Sequence, residues 1–155
     1  MKEGARPDRP LLIDADGLNV LARLGPDTLK SAQGPVVLTP HPGEMSRMLG
    51  CSTAVVNADR ISAARRLVAM TGASVLLKGA HSVIAMPDGA VFVNSSGNPG
   101  MATPGMGDVL SGIVGALMGA AILVLITNAV LLFGLPIQMQ LIIKGVVIVV
   151  AILPA

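Results

Sequence analysis

Val36-Val-Leu-Thr-Pro-His-Pro-Gly-Glu44 and Val75-Leu-Leu-Lys-Gly-Ala-His-Ser82 share one plan. Each opens on a short β-branched or Leu-rich run and breaks into a polar turn marked by Gly or Pro. Strands that end in functional loops, repeated along a chain, are how an open α/β sheet builds a site at the carboxyl ends of its strands. A third segment fits beside them: Ser95-Ser-Gly-Asn-Pro-Gly-Met-Ala-Thr-Pro-Gly-Met-Gly-Asp108, which runs into Val109-Leu-Ser-Gly-Ile-Val-Gly-Ala-Leu117, read as a helix. Glycines let successive N–H groups turn toward one centre, and a helix N-terminus adds the positive end of its dipole, so this loop has the makings of an anion cradle. Asp108 at that cradle is either a helix cap or a general base for an attacking hydroxyl.

Working outward, the periodicities predict strands over Leu11–Ala15, Val36–Thr39, Ser74–Lys78, Val83–Ala85 and Val91–Asn94, the last two joined in a hairpin by the turn Met86-Pro-Asp-Gly89. A helix is expected over Ala58–Met70, with Ile61, Ala64, Leu67 and Val68 on its apolar face and Arg60, Arg65 and Arg66 largely off it. Shorter helices are expected over Leu18–Leu24 and Gly43–Leu49. Strands spaced by helices give an α/β sheet with an antiparallel hairpin.

With Leu11-Leu-Ile-Asp-Ala-Asp-Gly-Leu-Asn19, these segments carry "TPHPGEM", "KGAH", "GNPGMAT" and "GMGDVLSGI" in order. In that combination, over roughly Pro10 to Met118, the chain resembles the ADP-dependent NAD(P)H-hydrate dehydratases, carbohydrate-kinase-like repair enzymes of the ribokinase superfamily. The resemblance implies a ribokinase-like open sheet, truncated on its N-terminal side, because the family's fold begins with strand and helix units that have no counterpart in Met1–Arg9. It implies a lyase that dehydrates NADHX or NADPHX to NADH or NADPH at the expense of ADP, with ATP as the alternative nucleotide and Mg²⁺ arriving with the phosphates. Lys78, Gly79, Ala80, His81 and Ser82 would then bind the nucleotide, with Gly107 also against it. Asp108 would accept the proton of the ring hydroxyl, and the N–H groups of Gly105, Met106 and Gly107 would stabilise the transferring phosphoryl group. His41 and Asp108 would contact the hydrated nicotinamide. The intact family implies a homo-oligomer in the cytoplasm. One departure is Pro104, where the family usually has Gly; it removes one possible donor from the cradle and leaves the following glycines free.

Each residue also has a plainer reading. Asp108 can cap its helix, His41 can be a turn residue facing solvent, Lys78 can be solvated at a strand end, and His81 is as readily a loop residue as a ligand. Glu44 is expected to support the start of its helix through the dipole. Asp14 and Asp16 alternate with apolar residues as at a strand end, Asp16 capping the turn that follows, and neither is assigned to the site.

Composition carries a second message. The chain is 52% hydrophobic, and after Asp108 its only charged side chain is Lys144. Ile113 to Phe133 is an apolar run long enough to cross a bilayer as a helix, Gly134-Leu-Pro136 breaks it, and Ile137 to Leu153 is a second run weakened by Gln138, Gln140 and Lys144. From Gly119 the wording resembles the C-terminal end of ribose-type ABC transporter permeases. We therefore expect two parts, 1–118 and 119–155, the second an apolar helical tail making membrane contact, with inner-membrane association through residues 113–153. The competing function is a non-catalytic, composite membrane-associated fragment. A net charge of +2 without Trp or Tyr gives no basis for nucleic-acid binding. The single Cys51 fits a reducing compartment, and no His, Cys and carboxylate set has metal-ligand spacing.

Overall fold

A computed structural model of the chain describes residues 10–96 and 103–132, and beyond them 134, 136, 138–139, 141–143 and 145–146. It divides into two compact units, Met1–Ser111 and Gly112–Ala155. In the first, five strands form one sheet in the order β1 (Leu11–Ile13), β2 (Val36–Leu38), β3 (Ser74–Leu77), β4 (Val83–Ala85) and β5 (Val91–Val93). β1, β2 and β3 run parallel, with Ile13 opposite Leu38 and Leu38 opposite Val75; β4 and β5 are antiparallel additions. The first three strands therefore end at one edge. The backbone pairing continues past them there, Thr39 N–H donating to Ile13 O at 3.2 Å and Lys78 N–H to Pro40 O at 2.8 Å.

The strands are shorter than their apolar runs at that edge. Ala15 turns away with φ +49°, and Thr39, Lys78 and Asn94 lie just beyond their strands. The hairpin turn is as expected: Gly89 N–H donates to Met86 O at 3.0 Å, and the Asp88 carboxylate accepts from Ala90 N–H at 2.9 Å.

Among the described residues of the first unit, four helices pack with the sheet: α1 (Asp16–Leu24), α2 (Pro42–Leu49), α3 (Thr53–Ala58) and α4 (Arg60–Thr71), with a 3-10 segment over Pro26–Ser31. The alternation along β2, β3 and β4 sends Leu38, Val75, Leu77 and Val83 into a core with Leu18 of α1, Met45 of α2, Val56 of α3 and Leu67 of α4, all at most 2% exposed. β5 is an edge strand with Phe92 and Val93 exposed. Three sequence expectations are corrected. Asp59 separates α3 from α4, because its backbone is non-helical and its carboxylate accepts from Ser62 N–H at 2.9 Å, so Ala58 ends one helix instead of starting the next. Asp16 lies in the first turn of α1 and is not its cap. On α4 the buried positions are Ala63, Ala64, Leu67 and Thr71, while Ile61 is exposed.

A fifth helix, α5 (Met106–Leu132), runs unbroken from the glycine loop through the apolar stretch, so the helix read at Val109–Leu117 and the apolar run from Ile113 are one element. Its most apolar window has a mean hydropathy of 2.6, long and apolar enough to cross a membrane by length and composition. It stops before Gly134, whose φ of +66° departs from the helix. Lys144 and most of the second apolar run lie outside the described residues, as do Met1–Arg9.

Candidate active site

The shared carboxyl edge gathers residues far apart in sequence. Lys78, the first residue after β3, reaches across to Asp14, the first after β1, with Nζ 2.7 Å from Oδ1. The other Asp14 oxygen accepts from Ser111 Oγ at 2.6 Å, in the second turn of α5. Glu44 Oε2, in the first turn of α2, lies 4.0 Å from the same ammonium. A Cβ built on Gly107 would stand 3.5 Å from Lys78 Nζ and 3.8 Å from Asp14 Oδ2, so the start of α5 faces this ion pair directly. Gly107 is the second residue of α5, and its N–H has no partner within its own helix.

Asp14 is the residue that sequence reading left out. Burial opposes its ionisation, but Lys78, Ser111, the Ala15 N–H and Thr39 together hold its carboxyl below the ordinary value of 3.8. The available signal was its place at the end of an apolar strand, where open α/β sheets put their chemistry.

His41 is the N-cap of α2. Its Nδ1 accepts from Gly43 N–H at 3.0 Å and Glu44 N–H at 3.3 Å, while Glu44 Oε2 accepts from His41 N–H at 2.8 Å, which is a capping box with an imidazole in the usual hydroxyl role. This arrangement requires Nδ1 without a proton, leaving Nε2 as the donor, 3.4 Å from Glu44 Oε1. Glu44 thus supports the helix start as expected. Half of the His41 ring is exposed, at 51%, so its outer edge can meet a ligand while Nδ1 is committed to the cap.

After Lys78 the chain makes a tight turn: Gly79 has φ +142° and His81 φ +54°, Ser82 Oγ donates to Gly79 O at 3.0 Å, and Asn94 N–H donates to Ser82 O at 2.9 Å. Gly79, Ala80 and His81 are exposed. In the glycine loop, Gly105 has φ +86° and accepts from Val109 N–H at 3.1 Å, which makes it the cap position of α5. The Met106 N–H is turned to Thr103 O at 3.3 Å, so of the three expected donors it is already engaged. Asp108 lies in the first turn of α5, exposed, and among the described residues no hydrogen bond reaches its carboxylate. Residues 97–102 of the loop lie outside the described residues. Lys78 and Gly107 are therefore brought together around an aspartate, His41 is linked to them through Glu44, and Asp108 stands exposed at the helix start.

Among the described residues there is no group of three or more His, Cys, Asp or Glu side chains able to hold a metal. Asp14 and Glu44 both face the Lys78 ammonium, so a divalent ion here would need phosphate oxygens among its ligands.

Residues 2–131 match the carbohydrate-kinase family described as NAD(P)H-hydrate dehydratase. The chain belongs to this family. The match extends well past Met118 and takes in nearly all of α5, and the permease-like reading of residues 119–155 finds no support among the relatives. The bifunctional NAD(P)H-hydrate repair enzyme of Thermofilum pendens is 53% identical over 112 residues, covering 72% of this chain and 21% of that protein. The ADP/ATP-dependent NAD(P)H-hydrate dehydratase of Bacillus subtilis, crystallised with ATP and Mg²⁺, is 38% identical with a TM-score of 0.60, covering 68% of this chain and 36% of that one. A ribokinase-like superfamily protein of Enterococcus faecalis is 31% identical with a TM-score of 0.58, covering 70% of this chain and 36% of that one. The ribokinase-like fold is thereby established, and the chain spans between about a fifth and just over a third of the length of these relatives.

Two expectations follow. The Asp14 carboxyl titrates below its unfolded value, so its contribution to stability is complete above 3.8 and is lost as pH falls through the lowered value. Asp14→Asn should cost about 1–3 kcal/mol at neutral pH, because the Lys78 ammonium loses its partner. The difference from wild type in denaturant unfolding should shrink steadily below pH 3.8; a constant difference would remove the ion pair from the account. At the cap, His41→Ala should lower stability by about 0.5–2 kcal/mol, whereas His41→Asn, an alternative capping side chain, should stay close to wild type.

Proposed function

We propose that this chain carries the nucleotide-binding and base-bearing edge of an ADP-dependent NAD(P)H-hydrate dehydratase. The observation that supports this reading is the approach of Gly107 to the Lys78–Asp14 pair, which sets a helix N-terminus and an ammonium side by side at the carboxyl ends of parallel strands. Two positive features converging on one open edge favour a phosphate. The relatives' names supply the substrate and the nucleotide.

Hydroxide is a poor leaving group, so the proposed route transfers a phosphoryl group from ADP to the ring hydroxyl of NADHX or NADPHX, releasing AMP, and then eliminates phosphate to restore the dihydropyridine. ADP is taken as the donor, with ATP as the alternative, and Mg²⁺ would accompany the phosphates and spread their charge. Lys78, Gly79, Ala80, His81 and Ser82 hold the nucleotide, and the Gly105 and Gly107 N–H groups face the transferring phosphoryl. Asp108, exposed at the positive end of α5 and free of internal partners among the described residues, takes the hydroxyl proton. The outer edge of the His41 ring contacts the nicotinamide nucleotide.

ADP titration of the full chain should saturate, and Gly107→Val should abolish most of the affinity, because a β-branched side chain would crowd Lys78 Nζ and the phosphate path. Equal affinity in that variant would overturn the nucleotide assignment. With the family's remaining N-terminal length supplied from a relative, Asp108→Asn should keep ADP binding and slow dehydration of NADHX on the order of 10²-fold or more. Near-normal turnover would leave Asp108 a helix-start residue only.

We also propose that the chain is cytoplasmic and that its C-terminal part from residue 119 contacts the inner membrane, a reading supported by the length and hydropathy of α5. The full chain should partition into the detergent phase, and removal of the residues after Met118 should return it to the aqueous phase. A full chain that stays monomeric without detergent would refute this.

A further inference from the structure

The turn after β3 holds one residue with a Cβ in a backbone conformation that such residues seldom adopt. Within four residues it holds Gly79 at φ +142° and His81, a residue with a Cβ, at φ +54°. Such conformations persist only where the surroundings over-determine them. On the side of α4 the turn borders a cavity of about 320 Å³, whose wall includes Asp59, Arg60, Ile61, His81 and Val83. From the wall of that cavity one side chain reaches the end of β3. Arg60 Nη2 donates to Leu77 O at 3.1 Å and to Lys78 O at 3.1 Å, the last carbonyl of β3 and the first beyond it. The approach is close enough to dictate the next residue: a Cβ on Gly79 would stand 3.0 Å from both Nη1 and Nη2.

We propose that Arg60 is a positioning residue for the nucleotide loop, holding the turn Gly79–Ser82 in the conformation that binds ADP. The inference rests on the proposed role of Lys78–Ser82 in nucleotide binding. Two successive carbonyls on one guanidinium fix the direction in which the chain leaves β3, and so set both the Lys78 side chain toward Asp14 and the N–H groups of the following turn. The arrangement has a cost that a surface arginine would not carry. Burial disfavours the charged guanidinium, and its buried Nε has no hydrogen-bond partner among the described residues. Geometry that retains such a group on backbone acceptors points to shape as its purpose. Gly79 and Arg60 form a matched pair, since the glycine leaves the room that the guanidinium fills.

The test uses the full chain in detergent micelles, comparing Arg60→Met, which keeps the stem, with Arg60→Lys, which keeps the charge on a side chain one bond shorter. Amide exchange reads the turn without any ligand. Arg60→Met should speed exchange at Lys78 and Asn94, whose N–H groups bond to Pro40 O and Ser82 O, on the order of tenfold, while Ala63 within α4 and Met45 in α2 remain unchanged. ADP affinity should fall about tenfold or more in Arg60→Met and less in Arg60→Lys. Unchanged exchange at Lys78 and Asn94, or ADP affinity equal to wild type despite faster exchange, overturns the proposal. So does equal acceleration at Ala63, which would make Arg60 a general support of α4. Wild-type chain that fails to bind ADP refutes the nucleotide reading of the loop and Arg60's role in it together, whereas wild type that binds, with Gly107→Val blocking it and Arg60→Met harmless, refutes Arg60's role alone.

Discussion

The 2.7 Å contact between Lys78 Nζ and Asp14 Oδ1 is the interaction on which the functional edge depends. It joins the ends of two strands that are not neighbours in the sheet, with β2 between them. Through Ser111 the same carboxylate also reaches α5. Both partners are largely withdrawn from water, with side chains 20% and 11% exposed, so removing either leaves the other charge with weaker compensation where it is costly. Glu44 supplies the second carboxylate near the ammonium and at the same time closes the capping box of α2.

This charge arrangement suits an edge that receives an anion. One ammonium and the N-terminus of α5 meet two carboxylates, so without ligand the positive groups are balanced from within the chain. A phosphate approaching Gly107 would compete with Asp14 for Lys78, and the helix start and the ammonium would both gain from it. The glycine at position 107 is what leaves the path open, since any side chain there would point at Lys78 and Asp14.

The sheet was legible because its short strands are nearly pure β-branched and leucine runs bounded by Gly and Pro, and all five were located to within a residue or two of their ends. The ends themselves were misjudged toward longer strands at Ala15, Thr39, Lys78 and Asn94, because the chain leaves the ladder through turns whose φ values or side-chain contacts no periodicity records. α3 went unread since six residues do not establish a period, although Ser52 caps it through its hydroxyl. In the site, motif residues with loop chemistry stood out, whereas Asp14 did not. Its role comes from a contact with a residue 64 positions away, invisible to any local pattern. Arg60 lies off the buried face of its helix as read, but periodicity does not show that its guanidinium reaches the end of β3, as that of Arg66 reaches Leu49 O. The apolar run after Ile113 was clear from composition, but its continuity with the helix that carries Asp108 was not, because the small residues Gly112, Gly115 and Gly119 weaken the helical signal without breaking the helix.

On this reading the turn after β3 and the start of α5 serve one nucleotide. Mapping ADP onto the backbone amide signals of the full chain tests it most directly. The amides of Gly79–Ser82 and of Gly105 and Gly107 should move together with a single dissociation constant, while the hairpin turn Met86–Gly89 stays still. Signals that move with separate constants in the two segments, or that move in the hairpin and leave Gly107 untouched, would contradict it.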